Sequence, residues 1–267
     1  MVTENWSAAI GRQYNELMAP PVIKAAGLAK RFDKLTAVDA IDFAVPKGSI
    51  TGLLGGNGAG KTTTIGMLLG LIVPSSGTIE ILGEDMIRHR YRVLPRMNFS
   101  SPYVDFPARL TVRENLSVFG AIYGVRGLQA RIAELAGDLN LRSFLDQKAG
   151  SLSAGQKTRM ALAKALINTP EVLLLDEPTA SLDPDTGDWI RAYLTSYSRR
   201  NGASILLASH NMAEVERLCD QVLMMKQGAI VDRGTPGELI ARFGRDTMEQ
   251  VFLDIARAGA QPIAAAS

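Results

Sequence analysis

Cysteine is nearly absent: Cys219 is the one thiol in 267 residues. A single thiol cannot form an internal disulfide, so nothing here asks for an oxidising compartment. A charge excess of either sign is also missing. Lys and Arg total 29 against 27 Asp and Glu, a formal net charge of +2. That balance excludes an argument for nucleic-acid binding from charge, and none is expected. Long hydrophobic runs are missing too. The longest, Ile65 to Val73, is interrupted by Gly66 and Gly70 and falls well short of the ~20 residues that cross a bilayer. The first ten residues carry neither a basic start nor an apolar stretch, so no secretory signal is read. There is no internal repeat and no low-complexity linker. With 46% hydrophobic and 21% charged residues, the chain is expected to fold, not to be disordered, and to be soluble or peripheral in the cytoplasm.

Patterning predicts alternating β and α units. Trp6, Ile10, Tyr14 and Leu17 recur near helical spacing before Pro20-Pro21, which makes residues 1–21 an N-terminal extension. From Val22 to about Gly83 short apolar runs alternate with turns. Ser49 to Leu54 reads as a buried strand, Thr62 to Leu71 as a helix and Thr78 to Leu82 as a strand. About 100–155 is mostly helical, with Arg113 to Tyr123 and Leu128 to Leu139 the clearest pieces. Then come a strand at Val172 to Leu175, a helix at Gly187 to Arg199, a strand at Ser204 to Ala208 and a helix at Met212 to Cys219. A hairpin follows around Gln227-Gly228. The order predicts an α/β fold: a mainly parallel sheet with an antiparallel β portion and an inserted helical subdomain. The main domain spans 22–240, and 241–267 is a C-terminal tail whose last residues, Ala258 to Ser267, are small.

Gly55-Gly56-Asn57-Gly58-Ala59-Gly60-Lys61-Thr62 matches G-x-x-x-x-G-K-[ST]. Glycines let the backbone fold tightly with its N–H groups turned toward phosphate oxygens, and the next helix offers its N-terminus to an anion. Lys61 is placed to reach β- and γ-phosphates, and the Thr62 hydroxyl to ligate Mg²⁺. Thr63 follows as a cap or a further phosphate contact. The strand before and helix after supply the required context.

Val172-Leu173-Leu174-Leu175-Asp176-Glu177 is an apolar strand ending in two carboxylates. Ligand sites in parallel sheets lie at the carboxyl ends of strands. Asp176 is therefore a candidate to hold Mg²⁺, directly or through water. Glu177 beside it is a candidate to orient or deprotonate an attacking water.

Together these segments resemble the ATP-binding subunit of an ABC transporter, with a P-loop NTPase (RecA-like) core, over about Leu28 to Leu253. Ser151-Leu152-Ser153-Ala154-Gly155-Gln156 is similar to the family's signature segment, which binds the γ-phosphate held by a partner subunit, although Ala154 replaces the usual glycine. Ser153 and Gln156 are equally spaced as a capping box, and both roles are compatible. Ser181-Leu182-Asp183 resembles the D-loop, Asp183 facing the partner. Ser209-His210 resembles the switch-histidine segment. Phe32 stands where the family stacks an aromatic on adenine. The family's usual glutamine is missing from Met97 to Tyr103, where Ser101 or Ser100 stands in for it as a metal contact.

The resemblance implies ATP hydrolysis with Mg²⁺ and a dimer, expected as a homodimer. It further implies a separate integral membrane permease and a peripheral position on the cytoplasmic face of the membrane. The segment Leu110 to Leu116 resembles the start of the helical subdomain. Gly234 to Leu239 with Met248 to Leu253 resembles exporter subunits of the ABC-2 type. The rival readings are a soluble ABC-type ATPase acting in translation or DNA repair and a small-molecule P-loop kinase.

Overall fold

A computed structural model describes residues 21–101, 105–179 and 182–257. The helix expected within the first twenty residues, Pro102, Tyr103, Ser181 and the stretch Ala258 to Ser267 lie outside the described residues. In chain order the strands are β1 (Pro21–Phe32), β2 (Leu35–Pro46), β3 (Ile50–Leu54), β4 (Ser76–Ile81) and β5 (Glu84–Asp85). They continue with β6 (Met97–Ser100), β7 (Val172–Asp176), β8 (Ser204–Ser209), β9 (Gln221–Lys226) and β10 (Ala229–Gly234). The helices are α1 (Lys61–Leu68), α2 (Arg90–Val93), α3 (Val112–Ile122), α4 (Leu128–Asp138), α5 (Ala154–Leu166), α6 (Pro184–Asn201), α7 (Met212–Leu218), α8 (Pro236–Phe243) and α9 (Met248–Arg257).

Two sheets form. One is antiparallel in the order β2-β1-β4-β5; the other runs β10-β9-β3-β8-β7-β6. In the second, β9, β3, β8, β7 and β6 are mutually parallel, and β10 returns antiparallel as the predicted hairpin partner. Every residue of β3, β7 and β8 is buried, as expected of strands covered on both faces.

Alternation along those strands divides the interior in two. Leu173, Leu175, Ile205 and Leu207 face a core built with α3, α4, α5, α6 and α7. Val172, Leu174, Leu206 and Ala208 face a second core, where the antiparallel sheet contributes Ile23, Phe43 and Ile79 and α1 contributes Ile65 and Leu68. Each of the valine, leucine, isoleucine and phenylalanine side chains among them stabilises the fold by roughly 1.5–3 kcal/mol when fully buried.

The predicted helices and strands appear within a few residues of their expected limits. β6 and the full length of β1 and β2 were not anticipated. β1 and β2 carry register shifts at several points, which break the alternation that marks a strand. The inserted helices pack on the sheet through Val112, Leu116, Ile132, Leu135 and Met160, and the last of them, α5, runs on to Leu166. Part of the segment set apart as a C-terminal tail is α9, which places Met248, Val251 and Ile255 in the same core.

Candidate functional site

The parallel strands bring the candidate residues to one end of the sheet. β3 stops at Leu54, and residues 55–60 turn into α1. Gly60 holds φ at 105°, and a Cβ there would lie 2.6 Å from the Ala37 carbonyl oxygen. A Cβ on Gly55 would lie 2.5 Å from the Met225 carbonyl oxygen. Both positions therefore require glycine. The hairpin turn clamps the loop from outside, where Gly228 N donates to Ala59 O at 3.0 Å. Ala59 is buried, Gly56 half-buried, and Asn57 and Gly58 exposed. The N-terminus of α1 has no side-chain cap, so its first N–H groups keep their capacity for an anion. Thr63 is half-buried in that first turn.

Lys61 Nζ donates to Gly55 O at 2.6 Å and Gly56 O at 3.1 Å. Burial holds its pKa below the ordinary lysine value, against the pull of Glu177 and Asp176. Thr62 Oγ1 donates to Asp176 Oδ2 at 3.3 Å. Burial raises the Asp176 pKa, opposed by the Thr62 hydroxyl and by Lys61 and assisted by Glu177. Glu177 follows at φ 51°, a left-handed conformation uncommon for a glutamate, and donates its N–H to Ala208 O at 2.9 Å. Its Oε1 lies 2.6 Å from His210 Nδ1. Lys61, Thr62, Asp176, Glu177 and His210 thus form one connected group.

A cleft of about 400 Å³ opens beside it, lined by Ser100, Ser101, Asp176 and Glu177 on one side and Ala154, Lys157 and Thr158 at the start of α5 on the other. Ser101 is buried at the end of β6. Lys164 fixes that strand, its Nζ donating to Phe99 O at 2.9 Å and Asn98 Oδ1 at 3.2 Å, and burial lowers its pKa to about 8. A hollow of about 480 Å³ on the helical subdomain, lined by Glu134, Asp138 and Arg142, contains none of these residues.

Other candidates stand apart. Phe32 ends β1, 44% exposed, with Lys30 Nζ 4.8 Å from its ring centre. Ser153 and Gln156 form a reciprocal capping box at the start of α5: Gln156 N donates to Ser153 Oγ at 3.3 Å and Ser153 N to Gln156 Oε1 at 2.9 Å. Gly155 lies in that first turn with open space where a Cβ would be. Asp183 is exposed and caps α6 by accepting Thr186 N at 2.9 Å.

The sequence reading missed three neighbours of the site. Met225 packs on Gly55 and Gly60, Phe252 of α9 approaches Gly56, and Glu214 is buried against Ser209, the residue before His210. The first two are ordinary apolar residues by pattern. Asn211 and Glu214 are spaced as a helix start, and that spacing conceals any other use of the carboxyl group.

Comparison with known proteins matches residues 38–180 to the ABC transporter family. The Nod factor export ATP-binding protein I of Ralstonia nicotianae is 38% identical over 232 residues, covering 86% of this chain and 72% of that protein. The probable multidrug ABC transporter ATP-binding protein YbhF of Escherichia coli is 35% identical over 241 residues, 88% of this chain and 41% of its own length. Among solved structures, an ATP-binding subunit of an ABC transporter superposes with a TM-score of 0.80 at 24% identity, covering 88% of this chain and all of that one. CbiO1 from Clostridium perfringens, part of an ABC transporter complex, gives 0.73 at 29% identity over 84% of this chain and 92% of its own. The family match and these relatives together establish that the chain belongs to the ABC transporter family, as one of its ATP-binding subunits, which are ATPases.

Proposed function

We propose that this subunit drives export through a separate membrane permease, working as a dimer that encloses two Mg-ATP. The observation that carries the reading is the convergence of Lys61, Thr62, Asp176, Glu177 and His210 at the carboxyl ends of β3, β7 and β8. Export is favoured by relatives named for Nod factor export and for multidrug transport. No helix among the described residues is long and apolar enough to cross a membrane.

Residues 55–60 and the uncapped start of α1 surround the phosphates with N–H donors. The Lys61 ammonium exchanges its carbonyl partners for β- and γ-phosphate oxygens. Thr62 Oγ1 and Asp176 Oδ2 are hard oxygen donors close enough to share one ion, a set that fits Mg²⁺. When bound, that ion neutralises charge on the β- and γ-oxygens. Glu177 accepts the proton of the attacking water. His210 holds the Glu177 carboxylate by its Nδ1 and turns its exposed ring toward the γ-phosphate. Ser101, two carbons shorter than the usual glutamine, would hold the ion only through a bridging water. Phe32 presents a π-face to adenine.

Ser153, Gly155 and Gln156 of a second copy supply the capped start of their α5 to the same γ-phosphate, with that copy's Asp183 alongside. The site is then complete only in the dimer, and loss of the γ-phosphate loosens it. A tagged pull-down from detergent-solubilised native membranes tests the assignment. A stoichiometric multi-span membrane protein is the expected product. Recovery with ribosomes or nucleic acid in the soluble fraction alone would instead establish a soluble ABC-type ATPase.

A further inference from the structure

Glu214 is 1% exposed, and burial raises its pKa, an effect that Glu177 reinforces and Arg191 opposes. It occupies the third position of α7, after the cap Asn211, which accepts Glu214 N at 3.1 Å. Four other helices among the described residues have an acid or amide at that position. Glu114, Gln156 and Glu238 turn back to the N–H of their own cap residue, and Gln250 of α9 accepts the nearby Asp246 N at 3.0 Å. Glu214 does neither. The Asn211 N–H is met instead by Ser209 Oγ at 3.0 Å, and the Glu214 carboxyl is free to reach elsewhere. Thr179 Oγ1 donates to its Oε1 at 2.7 Å, and Ser209 Oγ donates to its Oε2 at 2.7 Å.

Those two hydroxyls belong to different segments, Thr179 to the loop after β7 and Ser209 to the last position of β8. Thr179 lies two residues after Glu177, and Ser209 lies immediately before His210. A buried carboxyl group is expensive to desolvate, and an apolar residue of similar size would suit the core better. We propose that Glu214 is a positioning residue that ties the loop of Glu177 to the loop of His210. The inference rests on the roles assigned above to Glu177 and His210. The exposed Glu177–His210 pair can open and re-form as the γ-phosphate is lost. The buried Thr179–Glu214–Ser209 bridge keeps the two loops in register while it does so. Removing the bridge lets the general base drift, and a displacement of about 1 Å at reacting groups lowers rate by up to ~10²-fold.

The test uses the full chain. ATPase turnover and binding of a non-hydrolysable ATP analogue are measured for Glu214→Leu, Glu214→Gln, Thr179→Val and Glu177→Gln. The bridge predicts that Glu214→Leu and Thr179→Val lose about 10- to 100-fold in kcat with analogue affinity within about 2-fold of the parent. It also predicts that Glu214→Gln, which can still hydrogen-bond both hydroxyls, recovers most of the rate. Thr179→Val keeps the side-chain shape, so it carries the test if Glu214→Leu does not fold. Two outcomes overturn the proposal alone. One is full turnover in folded Glu214→Leu and Thr179→Val while Glu177→Gln is inactive. The other is a loss in which kcat and affinity fall together and Glu214→Gln gives no recovery. Full turnover in Glu177→Gln removes the assignment of the base, and the proposal falls with it.

Discussion

At the scale of single residues, the proposed turnover requires Lys61 and Glu177 to change partners. The Lys61 ammonium satisfies itself on two carbonyls of its own loop, so a phosphate only has to exchange places with backbone oxygens. A hydrogen bond to a charged group is worth about 1.5–3 kcal/mol net. Lys61→Ala is therefore expected to weaken ATP binding by about 10- to 100-fold, read by titration with a fluorescent analogue. Glu177→Gln keeps the shape and the His210 contact of the side chain but removes the proposed base. It is expected to lower turnover by about 10²–10⁴-fold with ATP binding retained; unchanged turnover would take Glu177 out of that role. Ser101→Gln is expected to retain ATP binding, because the site already accommodates a polar group at the end of β6.

At the scale of elements, two capping boxes offer a controlled comparison. Thr111 starts α3 through Glu114 N at 3.1 Å, and Ser153 starts α5 in the same way. Replacing either by alanine removes one N-cap hydrogen bond and is expected to destabilise the fold by about 1 kcal/mol. Thr111→Ala should leave turnover intact, whereas Ser153→Ala should also depress it, because the start of α5 is the surface proposed to meet the second copy's ATP. Parallel melting curves and turnover assays check both. Equal, turnover-neutral losses in the two variants would reduce Ser153 to a helix cap.

At the scale of the whole molecule, α9 links the end of the chain to the phosphate loop. Met248, Val251 and Ile255 enter the core, Lys226 Nζ donates to Ile255 O at 2.7 Å, and Phe252 approaches Gly56. Met248→Ala is expected to destabilise by about 2–5 kcal/mol, the usual range for a large-to-small change in a core, measured by denaturant unfolding. A surface-resting helix would give well under 1 kcal/mol. The proposed dimer is also a property at this scale. Glu177→Gln with Mg-ATP should elute as a dimer on size exclusion and return to monomer with ADP.

The sequence by itself determined what is contiguous. The loop 55–62 and the strand Val172 to Glu177 announce their chemistry because the glycines, the lysine and the carboxylates act within a few residues of each other. The capped start of α5 was legible for the same reason. Only the tertiary structure decided which distant groups meet. Thr62 and Asp176 are 114 residues apart and His210 and Glu177 are 33 apart. The strand order β3-β8-β7 is what places their ends side by side. Glu214 could be read as a helix start, because a capping pattern describes only local partners, and its actual partners are Thr179 in the loop after β7 and Ser209 at the end of β8. The packing of α9 was equally hidden: an amphipathic helix shows that one face is to be buried, but only the folded sheet supplies the surface that buries it.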